Sequence, residues 1–243
     1  MKNKFSFRKL VPIYVVVLAT FIAISLWGNQ AISTISANAS APLGPIVIID
    51  AGHGGVDGGA TSVSGVLESK LNLEIAQKLN DLLHLIGIHT KMVREDDISI
   101  YTEGESIASK KVSDLKNRIK MVNETENAIL ISIHQNHFHE SKYSGAQVFY
   151  SSFGESRNLA DKMQIAFRET INPGSRRQIK KADGVYLLQN IQKIGILIEC
   201  GFISNPEEDS LLRSNAYQNK VASVIAATIS GYVSEMTSLD LVS

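Results

Sequence analysis

The chain has 243 residues, 44% of them hydrophobic and 20% charged, which fits one globular domain with a sizeable core plus a leader. Its formal charge is zero, but Lys2, Lys4, Arg8 and Lys9 precede the first acidic residue, Asp50, so the part after residue 45 is left acidic. That balance argues against a nucleic-acid partner, which needs a basic surface, and the single cysteine, Cys200, excludes an intrachain disulfide or a Cys-x-x-Cys zinc site.

Residues 10–27, LVPIYVVVLATFIAISLW, are apolar and uncharged. As a helix they would run about 27 Å, close to the roughly 30 Å of a bilayer's hydrocarbon core. The basic flank predicts a cytoplasmic N-terminus, so the chain beyond the apolar run is exported. Segment 1–27 therefore reads as a membrane anchor or a signal peptide, with Ala37-Asn38-Ala39 as a cleavage pattern set farther from the apolar run than is usual. Residues 28–45, with Asn, Ser, Ala, Gly and two prolines, read as a linker, which leaves 46–243 as the folded domain.

Within the domain, IVIID (46–50) predicts a buried strand running into a Gly-rich turn. Leu71, Ile75, Leu79, Leu82, Leu83 and Ile86 recur at helical spacing and predict a helix from Glu68 to Gly87. IHTKMV (88–93) reads as a strand and 95–112 as a long surface loop. Leu115, Ile119 and Val122 mark a helix; AILISI (128–133) and GAQVFYS (145–151) are strands; 154–171 is a helix. GVYLL (184–188) and IGILIE (194–199) read as strands, and Tyr217, Val221, Val224, Ile225, Thr228 and Tyr232 mark a C-terminal helix. The alternation predicts an α/β domain with a mixed, mostly parallel sheet of about six strands and helices on both faces.

Three of the apolar strands end in polar residues that a core does not need: IVIID leads to His53, AILISI to His134, and IGILI to Glu199. In a parallel sheet such ends share the edge where ligands bind. Glu68, at the start of the first helix, is a fourth candidate, and the glycines of GHGGVDGGA (52–60) allow the backbone to bring that region close. Two histidines and a carboxylate form a three-ligand zinc set with one position left for water, the hydrolytic arrangement. A second carboxylate at the same edge can carry the water's proton to a leaving group, and Glu199 suits that role. Each residue also has an ordinary reading: a histidine in a turn, or Glu68 as an acid favoured by a helix dipole. His137 and His139 are rival ligands by position, His84 and His89 flank a helix end, and Cys200 reads as a buried small residue.

The stretches IVIIDAGHGGVDGGA, GVLESKLNLEIAQKL, ILISIHQNH and GILIECGFISNPEE, in that order, resemble the zinc-dependent N-acetylmuramoyl-L-alanine amidases. The resemblance covers nearly everything from residue 46 onward. It implies one zinc ion held by His53, Glu68 and His134, with Glu199 as the catalytic carboxylate, and selects His134 over its histidine neighbours. Asn136 is expected to position substrate or support His134. YTEGESIASKKVSDLKNRIKMVN, SGAQVFY and GVYLLQN further resemble the germination-specific branch of spore formers, which implies action on spore-cortex peptidoglycan ahead of muramic lactam formation. His137 departs from the small residue common in the family, and Gln189 from an arginine. The partners implied are glycan strands bearing peptide stems and, through segment 1–27, the cytoplasmic membrane; an accessory protein is left open. The rival expectations are a non-catalytic peptidoglycan-binding or activator module of the same fold, or another zinc hydrolase acting on peptidoglycan.

Overall fold

The computed structural model describes residues 44–240; the expected anchor over 1–27 and nearly all of the linker lie outside them. Among the described residues no helix is long and apolar enough to cross a membrane. In chain order the elements are β1 (Ile46–Ala51), α1 (Glu68–Leu85), β2 (Thr90–Met92), α2 (Ile107–Glu124), β3 (Ala128–Asn136), β4 (Gln147–Tyr150), α3 (Ser156–Thr170), β5 (Lys180–Lys181), α4 (Tyr186–Asn190), β6 (Ile194–Phe202), α5 (Pro206–Leu212) and α6 (Asn215–Asp240).

The strongest apolar runs, β1, β3 and β6, lie side by side and parallel at the centre of a six-stranded sheet of order β2-β1-β3-β6-β4-β5. Only the β4–β6 pairing is antiparallel, so the sheet is mixed and mainly parallel, as expected. Successive strand residues face opposite sides. Val47, Ile49, Ile131, Ile196 and Ile198 therefore enter one core, closed by Leu71, Ile75 and Leu79 of α1, Phe167 of α3 and Ile225 of α6. Ile48, Leu130 and Leu197 enter the other, closed by Val122 of α2 and by Leu187 and Leu188 of α4. Both faces of the three central strands are buried, which is why they read as continuous apolar runs.

Three segments differ from expectation. GVYLL is not a strand: Gly184 turns the chain at φ +88°, and Tyr186–Asn190 forms a short helix whose adjacent Leu187 and Leu188 both enter the second core. The sheet's sixth strand is instead the two-residue β5, paired with β4. The 95–112 loop is shorter than expected because α2 begins at Ile107, behind a capping box in which the Ser106 hydroxyl accepts from Ser109 N and Ser109 Oγ accepts from Ser106 N. Its first turns face solvent, with Ile107 and Val112 exposed, so no apolar period marks them. The third is α5, which the apolar pattern does not announce, although Asn205 capping Glu207 N and Glu208 N ahead of Pro206 is a strong helix start.

Candidate active site

Parallel alignment of β1 and β3 brings the loop after Ala51 beside His134, while β6 puts Glu199 opposite His134 in register. Glu68 is the first residue of α1, and its backbone N–H donates to Ala60 O, folding the Gly-rich loop onto the helix start. One ligand atom from each of His53, Glu68 and His134 lies within 4.8 Å of the others. His53 Nε2 is 3.2 Å from Glu68 Oε2, and His134 Nδ1 is 2.9 Å from Glu68 Oε1. His137 and His139 are exposed and outside this cluster, and His84 pairs instead with Thr90.

Two glycines make that approach possible. A Cβ on Gly52 would stand 2.2 Å from the His134 ring, and one on Gly59 would stand 2.6 Å from Glu68 Oε2 in a backbone at φ +70°. His53 itself adopts φ +60°, which a non-glycine residue keeps only when its surroundings hold it there. Those surroundings are two buried arginines. Arg94 Nε donates to Ala51 O and Arg94 Nη2 to Gly52 O; Arg118 Nη1 donates to Ala51 O and Arg118 Nη2 to His53 O. Arg118 is itself paired with the buried Asp50 and, at 2.6 Å, with Asp114, while Ser132 Oγ donates to Asp50. Burial alone would raise the Asp50 carboxyl, but Arg118 and Ser132 outweigh it and hold it below its ordinary value.

The second layer of contacts fixes the donor atoms. His53 Nδ1 lies 2.9 Å from Asp57 Oδ2, which leaves Nε2 to face Glu68, and Lys111 reaches Asp57 Oδ1 at 3.0 Å. Glu68 Oε2 accepts from Ala60 N, and Glu68 Oε1 accepts from Gln135 N and Asn72 Nδ2. Against its burial, these neighbouring histidines hold the Glu68 carboxyl well below the usual range, so it is ionised. Two ring nitrogens and the ionised Glu68 carboxylate, brought together around glycine gaps, form a donor set that would hold zinc with three protein ligands.

Glu199 is different. Its Oε2 is buried and has no hydrogen-bond partner, and burial, opposed by His134 and reinforced by Glu68, pushes its carboxyl up to about 7. An orphaned carboxylate beside a three-ligand metal set suits a group that takes and returns a proton. Asn136 ends β3 beyond an irregularity in register, and its carbonyl accepts from Ile203 N; no side-chain bond ties it to His134. Gln189 lies on α4 beside Lys181 and Tyr150, remote in register from the His134–Glu199 row. Cys200 is buried on the opposite face with its thiol pushed up by burial, which removes it as a nucleophile. Asp57, Arg94 and Arg118 are the site residues that sequence patterns left unmarked; only the Asp57 position, inside the Gly-rich run, carried a local signal.

The profile of the N-acetylmuramoyl-L-alanine amidase family matches residues 47–231. A germination-specific N-acetylmuramoyl-L-alanine amidase of Bacillus subtilis is 41% identical over 199 residues, covering 81% of this chain and 83% of that protein. Among solved structures, the CwlD amidase of Clostridioides difficile in complex with the GerS lipoprotein superposes with a TM-score of 0.75 at 36% identity, covering 78% of this chain and 98% of that one. An N-acetylmuramoyl-L-alanine amidase of Clostridium difficile gives 0.68 at 28% identity, over 79% and 98% of the two chains.

Proposed function

Because the chain belongs to the N-acetylmuramoyl-L-alanine amidase family and hydrolyses the amide joining N-acetylmuramic acid to L-alanine, we propose that His53, Glu68 and His134 hold one catalytic zinc ion and that Glu199 carries the proton. The observation that carries this reading is the 4.8 Å cluster of those three side chains beside the buried, unpartnered Glu199 Oε2. Bound zinc would supply a water of lowered pKa and polarise the lactyl carbonyl. Glu199 would take the proton of the attacking water and return it to the leaving alanyl nitrogen; a carboxyl near neutrality can do both. Arg94, Arg118 and Asp57 keep His53 aimed. Asn136 is assigned to substrate positioning at the end of β3.

The biological setting is inferred from the relatives. Likeness to a germination-specific amidase supports action on spore-cortex peptidoglycan; the apolar run and its basic flank support export across the cytoplasmic membrane, with 1–27 as anchor or signal peptide, 28–45 as linker and 46–243 as the catalytic domain. The solved complex of a similar amidase with a lipoprotein supports an accessory partner of that kind.

Two experiments test the chemistry and the setting in turn. Purified protein should contain about one zinc per chain, and His53→Ala and His134→Ala should lose it; unchanged metal in both variants overturns the ligand assignment. Mass spectrometry of digested cortex should show free stems beginning at L-alanine. Cuts within the stem would favour another hydrolase, and cleavage of vegetative wall alone would remove the cortex assignment.

A further inference from the structure

The register of the sheet sets His134, Glu199 and Gln147 in one row across β3, β6 and β4, facing the same side. Neighbouring strands lie about 4.8 Å apart, so Gln147 stands about two strand spacings from His134, on the far side of Glu199. Beyond Gln147 is Arg177. Its Nε donates to Ser144 O at 2.8 Å, its Nη1 to Gln147 Oε1 at 3.3 Å, and its guanidinium lies 4.6 Å over the Phe202 ring. These three contacts hold a half-buried guanidinium in one orientation, yet none of them neutralises its charge. The nearby carboxylate, Glu208, attracts Arg177 through space but is not bonded to it, because Oε1 accepts from Gly145 N and Oε2 from Phe202 N. Among the described residues no carboxylate lies within bonding distance of Arg177, and its hydrogen bonds run from Nε and Nη1, not Nη2.

Arg177 also borders an open cleft of about 600 Å³, between Ser144–Gly145 and the Asn172–Arg176 turn, at the same sheet edge as Glu199. The stretch 171–182 carries Arg176, Arg177, Lys180 and Lys181 and no acid, in a domain that is otherwise acidic. A guanidinium fixed in orientation at the mouth of a cleft, with no carboxylate bonded to it, is suited to capture one from a ligand.

We propose that Arg177 and the cleft beside it form the subsite for the departing peptide stem, and that Arg177 binds the free α-carboxylate of the stem's second residue. The inference rests on the amidase reading, because that reading fixes direction. Glu199 delivers its proton to the alanyl nitrogen, so the stem leaves on the β4 side and the sugar lies on the β1 side. One extended residue of about 3.6 Å covers most of the roughly 4.8 Å strand spacing from Glu199 to Gln147, and the Arg177 guanidinium, bonded to the Gln147 side chain, spans the remainder to the residue after L-alanine, a glutamate linked through its side chain and so keeping its α-carboxyl.

The test uses two synthetic N-acetylmuramoyl-L-alanyl-γ-D-glutamyl peptides that differ only in whether the α-carboxyl is free or amidated, with the zinc-loaded full chain. Arg177→Gln should raise KM for the free acid by roughly tenfold to a hundredfold, the range of a charge-assisted contact, and by less than about threefold for the amide. Arg177→Lys should keep part of the discrimination, which a purely structural role would not produce. Equal losses on both peptides, or a native enzyme indifferent to amidation, would overturn the subsite. If the native chain cleaves neither peptide, the amidase reading is what fails on these substrates, and calorimetry with L-alanyl-γ-D-glutamate still decides the subsite. Weaker binding by Arg177→Gln supports it, and equal binding refutes it.

Discussion

On the β1 side of the catalytic edge, the carbonyls of Ala51, Gly52 and His53 each accept from a buried guanidinium, and Asn72 Nδ2 adds a further bond to Gly52 O. On the β6 side, one Glu199 carboxylate oxygen is buried with nothing to bond. The first region is over-determined, because His53 keeps a left-handed backbone only when its surroundings hold it in place at some cost in strain. The second is under-determined, as the proposed proton carrier requires, since a group that gains and loses a proton cannot be saturated in either form. Rigidity and chemical readiness are thus assigned to different strands of one edge.

The most severe break in this contrast is Glu199→Gln, which should lower kcat by about 10² to 10⁴-fold, the range for a lost general base. Zinc content and melting temperature should hold or rise, since an unpartnered buried carboxylate is removed. Retained activity with normal zinc would take Glu199 out of the mechanism.

Next comes Arg118→Met, which strands Asp50 in the core and should cost about 3–5 kcal/mol in urea unfolding. The effect has a sign in pH. In the native protein Asp50 is held below its unfolded value, so its contribution is present above about pH 4 and is lost as pH falls through the folded value. Without Arg118, burial is less opposed and the folded value rises, so the variant gains relative stability in acid. The difference between the two proteins should therefore narrow from pH 7 toward pH 4, and a constant difference would mean that Arg118 acts by packing alone.

The mildest test is Lys111→Met, at the solvent-facing rim of the β1 side. Its exposed ion pair with Asp57 should contribute less than about 1 kcal/mol, measured as a shift of the urea midpoint. A larger loss would extend the rigid region outward to α2.

The same contrast accounts for what could be read without coordinates. His53, His134 and Glu199 stand out because each comes after an apolar strand, and Glu68 because it opens an apolar helix; those local patterns survive into the fold. Arg94 and Arg118 do not stand out, since a charged residue, or an i,i+4 pair such as Asp114 and Arg118, reads as surface, while the β1 partners that draw them inside lie 43 and 68 residues away at Ala51 and Asp50. β1, β3, β6 and α1 were legible from burial on their apolar faces. Residues 184–188 were not, because two adjacent leucines satisfy a buried strand and a short buried helix equally well. The α5 helix depends on Asn205 and Pro206 rather than on apolar spacing, and the first turns of α2 depend on paired serines.

The sheet order has a consequence for how the molecule comes into being. β6 is the last strand to be synthesised, yet it occupies an interior slot between β3 and β4. Until it arrives, β3 presents an unpaired edge, β4 and β5 have no attachment to the rest of the sheet, and Glu199 does not exist. Folding must therefore wait for most of the chain, with pairings that span long loops and close slowly. A ribosome that stops before Phe202 releases a sheet lacking its middle and carrying an open apolar strand edge, a product for proteases or aggregation and not a partly active enzyme.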